Sequence, residues 1–380
     1  MKETLSLERR VREAIGEGSS ANPPTYDDVQ EFWTTPDQQM VETLRRIDGD
    51  ILVAGVGGKM GGELVKALSQ ANEDPYREII AVSRFTDPKI KDDLFVFPNV
   101  TVLQSDMLEP GALDGLPDAP NVIFMAGRKF GVNDEETEIT AHATNILLPA
   151  MVANRFPDSK LVIFSSGNPY PAVTASTGGS KENDRFVVSQ PYSSQIVGRE
   201  NSVRYWASKG GTPVAYYRLW YAQHTCYGAI VDIAKLIRGG NTIYLDKAPQ
   251  VNVVSQREAN LAAVNALLLA SNLGHGKKPI VQPQWYEGER NQNGTIINVA
   301  GPIVPVRHIA NLLGEVMEMT PILEGKEDGP TLLGNDQRYR RLFGEYRDGV
   351  DHLIRGIGIW VKNGGEDWNK PTYFGLKAGF

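Results

Sequence analysis

An α/β fold with a doubly wound parallel sheet is what this sequence predicts, and three observations predict it. Short apolar runs alternate with helical stretches up to about residue 220. Each run is bounded by turn residues, as strands buried on both faces are. A glycine-rich turn, Gly55-Val56-Gly57-Gly58-Lys59-Met60-Gly61, follows the first run and opens a helix. Beyond Leu219 the alternation breaks into helices and one late apolar run, which predicts a smaller C-terminal α/β lobe.

Taken in order, residues 1–49 are polar. Helical spacing runs over 5–15, residues 16–24 are rich in helix breakers, and 26–47 is helical again, interrupted near Pro36. This predicts an N-terminal helical extension lying on the surface or on a partner subunit. Strands are predicted at 51–54, 78–82, 99–103, 121–125, 160–164 and 213–218, with helices at 62–71, 139–154 and 197–209 between them. Strands alternating with helices imply parallel pairing through right-handed crossovers. Helices follow at 230–238 and 261–271, then a Gly/Pro/Asn-rich loop over 273–294, a strand at 295–299, and helices at 306–319 and 350–361. The domains expected are the extension (1–49), the sheet domain (50–220) and a smaller, partly interleaved substrate lobe (221–380).

Composition narrows the function. Hydrophobic residues make up 41% of the chain, enough for a large core. A net charge of −7 argues against a nucleic-acid or anionic-membrane partner. The single cysteine, Cys226, allows no internal disulfide, and a reducing cytoplasm is the expected location. The start, Met1-Lys2-Glu3-Thr4, lacks the apolar stretch of a secretory signal, and no run of 18 apolar residues suggests a membrane span. The five histidines are scattered without metal-ligand spacing, so no metal is expected.

The glycine turn carries the first functional reading. The first glycine permits a tight turn, the second lets backbone N–H groups approach a pyrophosphate, and the third lets helix pack on strand. The helix N-terminus then faces the phosphates with unpaired donors and its positive dipole end. Gly55, Gly58 and Gly61, with Lys59 and Met60, are therefore candidate cofactor residues of a Rossmann-type domain. At the end of the second strand stand Ser83-Arg84, with no acid before Asp87. A carboxylate there would repel a 2′-phosphate, whereas a hydroxyl and a guanidinium hold one. NADP is favoured, with NAD as the alternative.

The G-x-x-G-x-x-G spacing makes a resemblance specific. Asp106-Met107, Ala126-Gly127, Ser165-Ser166 with Tyr170-Pro171, and Asn298-Val299-Ala300-Gly301-Pro302 stand in the expected places. From about Gly49 to Val361 the chain resembles the extended short-chain dehydrogenases/reductases of the NAD-dependent epimerase/dehydratase kind. The resemblance implies that Asp106 and Met107 hold adenine and that Ala126 and Gly127 pass under the nicotinamide ribose. It implies Tyr192 as catalytic acid/base and Ser166 as the hydroxyl that orients the reacting group. The family's lysine, four residues after the tyrosine, falls on Ile196, a departure that makes the chain atypical. Lys129 or Arg128, on the loop after the fourth strand, are candidates for the missing charge. Tyr205-Trp206-Ala207-Ser208-Lys209 imitates the family's Tyr-x-x-Ser-Lys but stands at a helix end and is set aside. Asn168, Tyr170, Trp220, Tyr221 and His224 are candidate substrate-wall residues.

The function so implied is an NAD(P)-dependent oxidoreductase, epimerase or dehydratase. Its substrate is a hydroxyl or ketone of a sugar, sugar acid or nucleotide sugar; the acidic sequence shows no obvious cluster for a nucleotide diphosphate, which favours a smaller sugar or sugar acid. Such proteins are homodimers built on helices such as 139–154 and 197–209. The alternative is a non-catalytic NADP(H)-binding sensor or scaffold, which the loss at Ile196 favours and retention of Ser166 and Tyr192 opposes.

Overall fold

A computed structural model describes residues 5–15, 23–129, 134–270, 294–370, 372 and 374. The loop expected over 273–294 lies, but for Gly294, outside them. Seven strands form one parallel sheet: β1 (Ile51–Ala54), β2 (Ile79–Ser83), β3 (Val100–Gln104), β4 (Asn121–Phe124), β5 (Lys160–Ser166), β6 (Val214–Leu219) and β11 (Thr295–Val299). Their order is β11-β6-β5-β4-β1-β2-β3. Every residue of β1 and β4 is buried, as continuous apolar runs in a twice-covered sheet require. The chain moves outward from β1 in one direction to β3 and in the other from β4, so the order reverses between β1 and β4. At such a switch point the strand ends leave a crevice, and ligands bind there.

Three short pairs lie outside the sheet. β7 (Ala222–Gln223) pairs with β10 (Val254–Ser255), β8 (Thr242–Tyr244) with β13 (Ile322–Glu324), and β9 (Gln250–Asn252) with β12 (Ile303–Pro305). One face of the sheet is covered by α3 (Gln38–Leu44), α4 (Gly61–Ala71) and α10 (Gln256–Leu267). The other carries α7 (Leu148–Arg155) and α8 (Pro191–Gly210). Proline at its first turn starts α8, where the absent N–H costs nothing, and Gly211 at φ +74° ends it.

The N-terminal extension is not a surface leader. α1 (Leu7–Ile15) packs on α13 (Val350–Lys362), and α2 (Tyr26–Thr34) buries Phe32 and Trp33. Leu7, Val11, Val29, Phe32 and Trp33 share one apolar core with α9 (Ala229–Arg238), α11 (Val306–Met317) and α13. The expectation failed because apolar residues here are sparse along the sequence, yet in a helix they fall on one face. The second lobe is thus built from both chain ends. Pro36 does separate two helices, with Asp37 capping α3 through Gln39 N–H. Short helices α5 (Pro88–Leu94) and α12 (Gln337–Phe343) carry no strong periodicity and were not expected.

The helix expected over 139–154 is three pieces: α6 (Glu135–His142), a π-turn over Ala143–Leu147, and α7. Pro149 explains the break. It has no N–H for the carbonyl of Asn145, four residues back. That carbonyl instead accepts Nε–H of Arg199 from α8 at 3.0 Å.

Candidate active site

The crevice at the switch point opens into a cleft of about 540 Å³, within the usual range for small-molecule sites. The phosphate loop forms one end. Gly55 has φ +98°, and a Cβ there would lie 2.5 Å from the Ala126 nitrogen; at Gly61 it would lie 2.5 Å from Val56 Cα. Only glycine lets β1, β4 and α4 approach so closely. Met60 is the N-cap of α4, and Lys59, in the cleft wall, has its Nζ 3.4 Å from the Tyr227 ring centroid. These residues fit a dinucleotide: a narrow crevice, a helix N-terminus aimed into it, and a cation beside it. Asp106 lies 3.7 Å from Arg84, and Met107 is buried in the core beneath the end of β2. Ser83 Oγ borders Gly57, where a Cβ would come within 2.7 Å of it.

The other end holds the reacting pair. Ser166, the last residue of β5, and Tyr192, in the first turn of α8, both line the cleft, with the serine close enough to act on the phenol. Ser166 Oγ also accepts Asn168 N–H at 3.1 Å, while the Asn168 carboxamide oxygen accepts Ser193 Oγ–H at 2.7 Å. Burial raises the Tyr192 pKa above the ordinary value of 10; the Arg199 charge and the nearby Ser166 hydroxyl oppose it without cancelling it. Ile196 is fully buried, so the position of the family's lysine is apolar.

Arg199 was not anticipated from the sequence. Seven residues beyond Tyr192, it returns to the same helix face after two turns. Its guanidinium donates to the Asn145 and Phe164 carbonyls, to the Asn145 carboxamide at 2.9 Å and to the Ala126 carbonyl at 3.1 Å. Asn145 in turn clasps Arg128, donating to its carbonyl at 2.6 Å and accepting its N–H at 2.9 Å. The π-turn therefore orders the loop after β4 and seats a buried arginine in the cleft lining. Pro149 was the visible signal for it.

Lys129 lies with Nζ 5.5 Å from the Tyr192 ring centroid. The residue keeps solvent exposure, yet desolvation of its ammonium lowers its pKa to about 8. Trp220 is wedged between Gly167 and Gly334, where a Cβ would meet its ring within 2.1 and 2.4 Å, and walls the cleft with Tyr221 and Tyr227.

Two expected wall residues stand behind the wall instead. Tyr170 is buried, stacks on the far side of Trp220 at 5.5 Å, and pairs with Arg218. His224 is fully buried: its Nδ1 accepts Cys226 N–H at 3.0 Å, so Nε2–H donates to Glu63 at 3.0 Å. Glu63 also takes the Tyr26 hydroxyl and the Gln256 amide, tying the N-terminal extension to α4. Residues just after a strand end were assumed to face the cleft, but here they fold back under it. Tyr205 and Lys209 lie on the last turns of α8, exposed and outside the cleft lining, with Nζ 5.6 Å from the phenol ring.

A parallel sheet with its phosphate loop at the switch point, facing a Ser–Tyr pair, defines a dinucleotide-dependent enzyme of the short-chain dehydrogenase/reductase type. Residues 51–224 match the family model described as "NAD dependent epimerase/dehydratase family". The solved structures it is similar to include two UDP-sugar 4-epimerases and a further NAD+-bound enzyme. UDP-glucuronic acid 4-epimerase of Bacillus cereus, with NAD, shares 15% identity at a TM-score of 0.63, covering 82% of this chain and 99% of that one. UDP-N-acetylglucosamine 4-epimerase of Methanobrevibacter ruminantium shares 18% at 0.63, covering 83% and 98%. The enzyme WbmH of Bordetella bronchiseptica, with NAD+, shares 14% at 0.60, covering 82% and 97%. No curated protein matches.

Proposed function

We propose that this chain is an NAD(P)-dependent epimerase, dehydratase or oxidoreductase that acts on a hydroxyl or ketone of a sugar-like substrate. Ser166 and Tyr192, together in the lining of a cleft that begins at the phosphate loop, carry this reading. Gly55, Gly58, Lys59, Met60 and Gly61 hold the pyrophosphate, Asp106 and Met107 adenine, and Ala126 and Gly127 the nicotinamide side. The bound nicotinamide supplies hydride acceptance and donation at a carbinol carbon. Tyr192 moves the proton of the reacting hydroxyl, and Ser166 aligns that oxygen. Arg199 stands in for the family's lysine: its fixed charge opposes the burial that keeps the phenol protonated. Asn168, Trp220 and Tyr221 line the substrate's side.

The dinucleotide is read as NADP, because Ser83 and Arg84 replace an acid at the end of β2. The test is to purify the protein without added nucleotide, denature it and identify what is released. NADP is expected, retained if each cycle regenerates it. Arg84→Ala is expected to weaken NADP binding about 10- to 100-fold, the worth of a charge-assisted hydrogen bond, and to leave NAD binding near its starting value. Equal loss for both dinucleotides would remove the NADP reading.

The protein is further read as a homodimer. Ile139, Leu147, Tyr205 and Trp206 expose apolar surface on α6, the π-turn and α8, the kind of patch that marks an interface. Light scattering on the eluting protein should give twice the chain mass, and Tyr205→Glu with Trp206→Glu should give one chain mass. A monomeric parent protein would end this reading.

A further inference from the structure

The cleft is lined by Lys59, Arg128, Lys129, Arg199 and Lys370, and among the described lining residues there is no aspartate or glutamate. The chain as a whole carries a net charge of −7. A cationic cleft in an anionic protein focuses potential on one place and selects an anion. Arg199 is tied to Asn145, Phe164 and Ala126. Lys129 stands beside Tyr192, at the reacting end rather than at the phosphate loop.

Lys370 arrives from the segment after α13, far beyond the residues that match the family. That segment is well anchored. Trp368 stacks on His224 at 4.7 Å and donates N–H to the Cys226 carbonyl at 3.1 Å. Asp367 pairs with Lys235 at 2.5 Å, and Thr372 bonds Asp232. The tail thereby closes one side of the cleft and presents an ammonium to it.

Resting on the reading above, we propose that Lys129 and Lys370, in the same cleft wall as Lys59 of the phosphate loop, form an anion site for the substrate itself, taking a carboxylate or phosphate carried close to the reacting carbon. The like charges are already strained against one another. Desolvation, then Lys370 and Lys129, lower the Lys59 pKa to about 7, with Asp232 opposing. An anion among them restores their protonation, so binding takes up protons near neutral pH.

The experiment titrates dinucleotide-saturated protein calorimetrically with inorganic phosphate, glucose 6-phosphate, galacturonate and glucose. The anions are expected to bind and glucose not, with heats that differ between phosphate-free buffers of unlike ionisation enthalpy because protons are taken up. Tighter binding of galacturonate assigns a carboxylate substrate, and tighter binding of glucose 6-phosphate a phosphorylated one. Lys370→Met should weaken the bound anion tenfold or more and leave dinucleotide affinity unchanged, and Lys370→Arg should restore it. Anions that bind only by displacing the dinucleotide overturn the proposal, as does a holoprotein that binds none of them. So does a Lys370→Met protein that binds anions as before, or that loses dinucleotide affinity in step. Dinucleotide binding that persists through such a failure leaves the broader enzyme reading standing.

Discussion

Tyr192→Phe is expected to lower turnover about a hundred- to ten-thousand-fold, the range of a positioned general acid–base. Dinucleotide affinity should stay within about twofold, because the hydroxyl removed is aimed at the substrate. The pH profile carries a second expectation. Burial places the Tyr192 pKa above 10, and Arg199 with Ser166 recovers only part of the shift. At neutral pH the group is therefore a phenol, ready to give a proton and slow to take one. Turnover in the direction that needs the phenolate should climb with pH throughout the neutral and mildly alkaline range, up to tenfold per unit. The reverse direction should stay flat. A side chain fully protonated below its raised pKa gives that sign. A non-catalytic sensor predicts no turnover in the parent protein and no pH profile to lose, so the single substitution separates the two functions.

The strands and the phosphate loop were legible because their signals are local. A buried parallel strand reads as an apolar run, and Gly55 and Gly61 are required by contacts with residues adjacent in the sheet. The places of Ser166 at a strand end and Tyr192 at a helix start were legible through the family pattern. What the sequence did not disclose depends on contacts far apart in the chain. Arg199 looked like an ordinary helix residue until Pro149 left the Asn145 carbonyl without its helical donor. His224 and Tyr170 were placed on the substrate wall by position after β6 and β5, but Glu63 and Arg218 draw them into the interior. The extension over 1–49 looked polar, yet Phe32 and Trp33 complete the core of the second lobe. Lys370, from the other end of the chain, could be assigned to the cleft only once the tail's anchors at Cys226 and Asp232 were known.

Arg218→Met should destabilise the fold by about 3–5 kcal/mol, the cost of leaving a buried charge without its partner. The partner is Glu200, on α8, which accepts from Arg218 Nε at 2.8 Å and Nη2 at 2.6 Å, from Ser165 Oγ at 2.6 Å and from Arg204 at 3.2 Å. Burial alone pushes the Glu200 pKa up; the Arg218 hydrogen bonds and charge, with Arg204 and Ser165, outweigh it and hold the carboxyl below its ordinary value of 4.5. A depressed carboxyl contributes stability that is complete above that ordinary value and is lost as pH falls through the folded one. Without Arg218 the desolvation is largely unopposed and Glu200 takes up a proton at higher pH. The stability gap between variant and parent, read from denaturant unfolding, should therefore narrow as the pH is lowered from about 8 to about 5. Adding Glu200→Gln should recover much of the loss, since an amide needs no counter-charge. Equal destabilisation by the single and double variants would show that packing of the arginine stem, not its charge, holds this site. The consequence reaches the cleft, because Glu200, next to Arg199 on α8, ties that helix to β6 through Arg218 and to β5 through Ser165, beside Ser166. The two adjacent serines thus divide the labour: Ser165 faces inward and fixes α8 through Glu200, while Ser166 lines the cleft with Tyr192.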